Sequence, residues 1–253
     1  MDTFMDGEDR RSRTLTVMTF NVANGLAQPE RLVEVIAEAD ADIVGVQELA
    51  PGQGDAIDRQ LASQYPHRVL HPLGIPGKAL LSKHPIVSNE LLHLYPNRPD
   101  LRATIQLASE QLAIIVAHPP PPRFKRRGLI TDPETYEQVA RLIASAHAGG
   151  PTLMMGDFNA LAIHRIYRQI AASGLIDVFR VAGNGPGFTL PTRMARMAYK
   201  SHPIGSVRIR PVLRVDYLWI TQDIEPLESW VGPYSGSDHL PVLARLSIRD
   251  RSG

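Results

Sequence analysis

The sequence predicts an α/β fold in which mixed β-sheets pack on each other and are covered by helices. Three observations predict it. The chain opens as strand–helix–strand, runs from Arg68 to Ala117 as short strands with no helix between them, and returns to helices and strands from Glu134 onward. Strands in direct succession pair antiparallel and strands joined through helices pair parallel, so this chain combines both and is not a simple doubly wound sheet.

Each element carries its own signal. Leu15 to Val22 alternates and is partly β-branched, as a strand is. Pro29 opens a helical pattern with Leu32, Val33, Val35 and Ile36 on one face, and proline suits a first helical turn. Ile43 to Val46 reads as a buried strand and Ala56 to Gln64 as a helix. The successive strands are Arg68 to Leu70, Lys78 to Ser82, Ile86 to Tyr95, Leu101 to Leu107 and Gln111 to Ala117, punctuated by Pro, Gly, Asn or Ser. Glu134 to Ala148 and His164 to Ser173 are helices around the strand Thr152 to Met155, and Pro211 to Thr221 and His239 to Ile248 close the chain as strands. Pro119 to Pro122 is a stiff extended stretch.

Composition bounds the function. The 253 residues, 43% of them hydrophobic, suit one large domain, expected over residues 14–249 behind a disordered arm at residues 1–13. A net charge of +1 provides no global field for nucleic acid. The lack of cysteine excludes disulfides, thiolate zinc sites and a cysteine nucleophile. No apolar run approaches the ~20 residues of a membrane span, and the acid- and arginine-rich start is not a signal peptide. A cytoplasmic monomer is expected. Arginine supplies 23 of the 27 basic residues, which codon bias explains without a phosphate-binding role.

The candidate chemistry sits at strand ends, where α/β sheets gather ligands. Asn21 lies late in the first strand and Gln47-Glu48 ends the second. His118 ends the strand Ile114 to Ala117, and Asp157 and Asn159 follow Leu153-Met154-Met155. Asp216 interrupts a late strand, and Asp238-His239 precedes the last one. Glu48, Asp157 and Asp238 are hard oxygen donors that suit Mg²⁺ or Mn²⁺. Protonated histidines donate to phosphoryl oxygens, and an acid such as Asp216 keeps an imidazole charged and oriented. Taken singly, Asn21 is a turn residue, Glu48 a surface acid, His118 a strand end and Asp238 a turn cap; their joint order and placement favour a site.

The motifs Thr19-Phe20-Asn21, Val46-Gln47-Glu48, Ala117-His118, Gly156-Asp157-Phe158-Asn159-Ala160, Arg214-Val215-Asp216-Tyr217 and Ser237-Asp238-His239-Leu240-Pro241-Val242 occur in this order across nearly the whole chain. In them the sequence resembles the endonuclease/exonuclease/phosphatase superfamily. The resemblance implies a four-layered α/β sandwich of two packed mixed β-sheets flanked by helices, with the site where the loops of both sheets converge. It implies Glu48 as principal metal ligand, with Asn21 and Asp238 close to the metal or its waters. It implies Asp157 as the residue that orients or deprotonates water, and Asn159 as a hydrogen-bond partner of water or phosphate. His239, polarised by Asp216, contacts the scissile phosphate, and His118 contacts phosphate or assists the leaving group. Two departures stand out: Ala23 replaces an acid that some member nucleases carry, and Gly77 to Lys83 lacks the acid that pancreatic-type DNases pair with their equivalent of His118.

The resulting expectation is a divalent-metal-dependent phosphoester hydrolase acting on a lipid or small phosphoester. A non-specific or structure-specific endonuclease is one alternative, and a catalytically silent binding module on the same scaffold is another. Arg102 is a candidate phosphate contact from a hairpin strand, or else a solvent-facing strand arginine. Val181 to Val215 holds no acid and carries Arg193, Arg196, Lys200, Arg208, Arg210 and Arg214, so it is expected to overhang the site and face a polyanion or phospholipid. Met194, Met197 and Tyr199 within it favour a lipid headgroup or peripheral membrane contact over a duplex.

Overall fold

Two six-stranded sheets, each carrying helices on its outer face, form the architecture of this computed structural model, which describes residues 13–108, 110–125, 128–197 and 203–248. The expected N-terminal arm lies outside these residues except for Arg13, which opens the first strand. The chain runs β1 (Arg13–Asn21), α1 (Pro29–Ala39), β2 (Ile43–Gln47), α2 (Pro51–Gln60), β3 (His67–His71) and β4 (Lys78–Ser82). It continues as β5 (Ile86–Leu92), β6 (Asp100–Gln106), β7 (Gln111–Ala117), the short pair β8 (Arg123–Lys125) and β9 (Gly128–Ile130), α3 (Pro133–Ala146) and β10 (Thr152–Asp157). Then follow α4 (Arg165–Ala172), β11 (Ile176–Asp177), α5 (Val178–Ala182), β12 (Arg193–Met197), β13 (Pro203–Arg208), β14 (Asp216–Ile220), β15 (Ile224–Val231) and β16 (Val242–Ile248).

The first sheet has the order β15-β16-β1-β2-β4-β3 and the second β11-β14-β10-β7-β6-β5. β1 pairs parallel to β2, and β7 to β10, each across a helical crossover; the other pairs in both sheets are antiparallel. The helix-poor run from Arg68 to Ala117 therefore forms hairpins as expected, but divides between the sheets after β4.

Strand periodicity builds the layers. Leu15, Val17, Ile114, Val116, Leu153, Met155, Leu218 and Ile220 face the space between the sheets. The alternate residues Met18 and Phe20 face α1 and α2, while Ile115, Met154 and Trp219 face α3 and α4. Three apolar cores thus separate four layers, and each fully buried aliphatic or aromatic side chain contributes about 1.5–3 kcal/mol. The sheets approach closely at Gly45, where a Cβ would lie 2.4 Å from the Met155 sulfur.

Some boundaries differ from the expectation. α2 starts at Pro51 and not at Ala56, because buried Gln53 fastens its first turn: Oε1 accepts from the amides of Ala50 and Gly25, and Nε2 donates to the carbonyls of Val22 and Ala27. β14 begins only at Asp216, since Leu213 runs beside Thr189 and Leu190 as a loop. β15 is unanticipated. Pro226 disguises it, and it is tolerated because β15 is an edge strand with a bulge between Pro226 and Glu228. The basic segment contains the hairpin β12–β13; Tyr199 and Lys200 lie outside the described residues, and the side chains of Met194, Arg196 and Met197 are not described. Among the described residues no helix is long and apolar enough to cross a membrane.

Gly156 tests how tightly the second sheet is built. Its φ is +149°, and a Cβ there would sit 1.8 Å from the Ala117 carbonyl oxygen of the neighbouring strand. Gly156→Ala is expected to lose more than ~3 kcal/mol in urea unfolding. Gly52→Ala, at an exposed position in α2 with open space around it, is expected to stay within about 0.5 kcal/mol of wild type.

Candidate active site

The same alternation that fills the inter-sheet core also places the polar residues that end it. Asn21 follows Leu15, Val17 and Thr19 on the inner face of β1. His118 follows Ile114 and Val116, Asp157 follows Leu153 and Met155, and Asp216 precedes Leu218 and Ile220, with Asp157 paired directly to Asp216. These side chains cap the apolar layer at one end of the sandwich. All four are about 1% exposed.

Asp157 is the hub. Its Oδ2 accepts from Asn21 Nδ2 at 3.0 Å, and its Oδ1 accepts from the Asn159 amide at 2.8 Å. Around Oδ2 stand His118 Nε2 at 3.6 Å and His239 Nε2 at 3.7 Å. Glu48 Oε1 lies 3.5 Å from both His118 Nε2 and Asn21 Nδ2. Asp216 Oδ2 contacts His239 Nδ1 at 2.9 Å and accepts from the Thr189 hydroxyl. The loop carrying Asp238 is tied down by Ser237, whose hydroxyl donates to the Asn21 carbonyl at 2.7 Å and accepts from the His239 amide at 3.1 Å. Thr192 holds the same loop from the other side through the carbonyls of Asp238 and Ser237. Asn159 Nδ2 donates to the Pro119 carbonyl at 3.0 Å, so the proline run braces one side of the site.

Glu48 has φ +56°, a left-handed conformation that is unfavourable for a residue other than Gly, Asn or Asp and clusters at functional positions. Asn159, at φ +50°, tolerates that region more readily.

The two histidines carry opposite charge states. Burial opposes the charged form of His239, but Asp216, then Asp157, outweigh it and raise the imidazole to about 10. Burial pushes His118 well below the ordinary histidine value, and Lys78 and Arg98 add to the effect. Burial also raises Asp157, against His239, and raises Glu48, against its hydrogen bond from Asn21. His118 is therefore a neutral ring at neutral pH and His239 an imidazolium.

The donor set fits a hard divalent cation. Asp238 Oδ1 is buried without a hydrogen-bond partner, Glu48 is partly open to solvent, and Asn21 Oδ1 accepts only the Ala23 amide among the described residues. Such oxygen donors suit Mg²⁺ or Mn²⁺. Asp157, Asp216 and His239 also bring ligand-type atoms within 4.8 Å of one another. There, however, His239 Nδ1 and Asp216 Oδ2 bind each other, and an imidazolium has no lone pair to offer.

Arg102 does not join the cluster. Leu101 and Ala103 occupy the inter-sheet core, so alternation turns Arg102 outward, where it lies 3.6 Å from Glu90 and lines a cleft with Ser88, Asn89 and Thr104. Arg214 is likewise withdrawn from the basic segment: Asp177 holds it at 2.6 and 3.0 Å, and it stacks on Tyr217. Sequence reasoning missed Ser237 and Thr189 as braces, and also missed Lys78 and Asp100, both fully buried beside His118. Lys78 was visible only as part of the acid-free stretch Gly77 to Lys83.

A profile of the Endonuclease/Exonuclease/phosphatase family matches residues 18–239. No curated protein matches the chain. Among solved structures, an endonuclease/exonuclease/phosphatase from Beutenbergia cavernae is similar at TM-score 0.68 and 20% identity, over 94% of this chain and 72% of that one. A functionally unknown conserved protein from Enterococcus faecalis is similar at 0.71 and 16%, over 93% of this chain and 100% of the other. D. rerio TDP2 complexed with single strand DNA product is similar at 0.70 and 15%, over 92% and 98%. At these identities the likeness establishes the fold.

The His239–Asp216 contact has a measurable consequence. A raised histidine stabilises the folded state fully below its unfolded value, about 6.5, and that stability is lost as pH climbs through about 10. In Asp216→Asn the ring ¹⁵N signals of His239 are expected to titrate several pH units lower, and stability between pH 7 and 10 to become flatter. An unchanged His239 titration would remove Asp216 as the cause.

Proposed function

The chain belongs to the endonuclease/exonuclease/phosphatase family of metal-dependent phosphoester hydrolases, and on that premise we propose that it acts on a phospholipid or small phosphoester. The carrying observation is apolar. Leu26, Leu73 and Ile75 are 37%, 59% and 43% exposed on two adjoining loops. Both loops are anchored to the Glu48-Leu49 backbone, through the Asn24 and Gly74 amides. An apolar rim beside Glu48 suits a substrate with a hydrocarbon part, whereas a duplex backbone calls for cations there.

In this reading Glu48 and Asp238 would hold the ion, with Asn21 beside them. Bound there, Mg²⁺ or Mn²⁺ would supply Lewis-acid stabilisation of the phosphoryl oxygens. Asp157 aims the attacking water and takes its proton: the Asn21 and Asn159 donors lock its carboxylate, and burial raises its proton affinity in the direction a general base needs. His239 donates from Nε2 to the phosphoryl group as an imidazolium fixed by Asp216. Neutral His118 donates from Nε2 without adding charge. Asn159 keeps its side-chain oxygen for water while Pro119 holds its nitrogen.

A nucleic-acid substrate is the second reading, favoured by one observation. Arg208 stacks 4.6 Å over the Tyr234 ring and, with Arg210, lines a cleft of about 320 Å³ whose wall includes Thr192, the brace of the Asp238 loop. The TDP2 likeness, solved with single strand DNA product, agrees with it.

Two outcomes test these assignments. Asp157→Asn is expected to lower turnover of bis-p-nitrophenyl phosphate by about two to four orders of magnitude at saturating Mg²⁺, with the fold retained by near-ultraviolet circular dichroism; near-native turnover would exclude Asp157 as the base. Vesicle presentation is expected to raise turnover of a phospholipid substrate, and Leu73→Asp with Ile75→Asp to abolish that gain while leaving bis-p-nitrophenyl phosphate turnover unchanged. Salt-sensitive cleavage of single-stranded DNA without vesicle stimulation would select the second reading.

A further inference from the structure

Below the cluster the inter-sheet core ends in a polar row that the catalytic roles leave unused. Thr19 and Gln47 are hydrogen-bonded to each other across β1 and β2, and register places Lys78 of β4 opposite Gln47. Lys78 shares the inner face of β4 with Leu80, a core residue. Its side chain is 0% exposed, and its ammonium donates to the Pro76 carbonyl at 3.2 Å. Across the sandwich, β4 packs on the strands whose ends carry Asp100 and His118. Asp100 is also 0% exposed; it accepts from the His118 amide at 2.9 Å and from Gln138 at 2.7 Å, and Lys78 is the main charge that offsets it.

A buried ammonium is costly when no carboxylate touches it, and among the described residues none lies within 4.0 Å of Lys78. Burial lowers the ammonium to about 8, with Arg98 adding to the effect, while Asp100 first and then Glu48 and Asp157 hold it up. The acids Glu48, Asp157, Asp216 and Asp238, with Asp100 beneath them, outnumber the His239 imidazolium and the Arg98 guanidinium that act on them. A divalent ion at Glu48 and Asp238 accounts for part of the remainder. The buried Lys78 ammonium, which acts on Asp100, Glu48 and Asp157, supplies more of it and repels any further cation nearby.

We infer that Lys78 is a positioning residue that acts as an internal counter-ion in place of a second metal, so that the site holds one divalent ion. The inference rests on the proposed metal position at Glu48 and Asp238. Mn²⁺ titration of the metal-free protein, with free Mn²⁺ counted by electron paramagnetic resonance, tests it. One Mn²⁺ per chain is expected for wild type and Lys78→Arg, and two for Lys78→Gln. Two ions in wild type would overturn the inference while leaving the metal reading intact. So would a folded Lys78→Gln, checked by near-ultraviolet circular dichroism, that still takes one ion with unchanged affinity, as a lysine that merely balances Asp100 predicts. If Lys78→Gln does not fold, the double variant Lys78→Gln with Asp100→Asn, which removes both buried charges together, decides: two ions support the inference, and one overturns it. Wild type that binds no Mn²⁺, like Glu48→Gln that binds as wild type does, would instead overturn the metal reading itself.

Discussion

The hydrogen bond from Asn21 to Asp157 joins the two sheets where their shared apolar core stops. Asp157 is a buried carboxylate, and a buried charge is tolerated only when its surroundings are complete. Its two oxygens accept from Asn21 of the first sheet and from the Asn159 amide of its own turn, with two imidazoles at the remaining directions. The arrangement holds only if both sheets present their polar ends at one height. That requires the registers of β1 with β2 and of β10 with β7 and β14, and a strand end at Gly156 that no side chain obstructs. A one-residue slip in any of these strands would turn its site residue to the helix-covered face.

Within that frame, placement alone gives two histidines different tasks. His239 has Asp216 on one ring nitrogen and Asp157 near the other, so its charge is favoured despite burial. His118 is as deeply buried, but among the described residues its Nδ1 has no such partner, so burial first, and then Lys78 and Arg98, suppress its charge. One ring is a fixed cation and the other a neutral donor, a division of roles that environment, not residue type, sets.

The elements nearest the site were the most legible in the sequence, because strand periodicity and site chemistry coincide there: Asn21, His118, Asp157 and Asp216 each extend an apolar alternation by one more step. What stayed hidden depends on tertiary partners. Lys78 begins a strand, where a lysine is ordinarily solvated, and only the opposing strand ends reveal that it is enclosed. Arg102 and Arg214 carry the right charge, but cross-strand Glu90 and distant Asp177 occupy them. β15 escaped notice because a proline is compatible with a strand only at an edge, and edge status is a property of the sheet rather than of the segment.

The polar cluster and the substrate surfaces are built differently, and that bears on specificity. Every residue of the cluster belongs to a strand or to a turn tied directly to one, so its geometry is set by the packing of the sandwich. Leu26, Leu73, Ile75, Arg208, Arg210 and Tyr234 stand on strand ends and connecting loops outside that packing. Function on a shared fold resides in such grafted surfaces, which change without disturbing the core. The apolar rim is tied to the Glu48-Leu49 backbone and the arginine–tyrosine cleft includes Thr192, which holds the Asp238 loop, so the substrate we propose, with a charged headgroup and a hydrocarbon part, has a surface on each side of the cluster. The second reading, a single strand stacked on Tyr234 beside Arg208 and Arg210, uses only the cleft, which is why the two proposals differ at Leu26, Leu73 and Ile75.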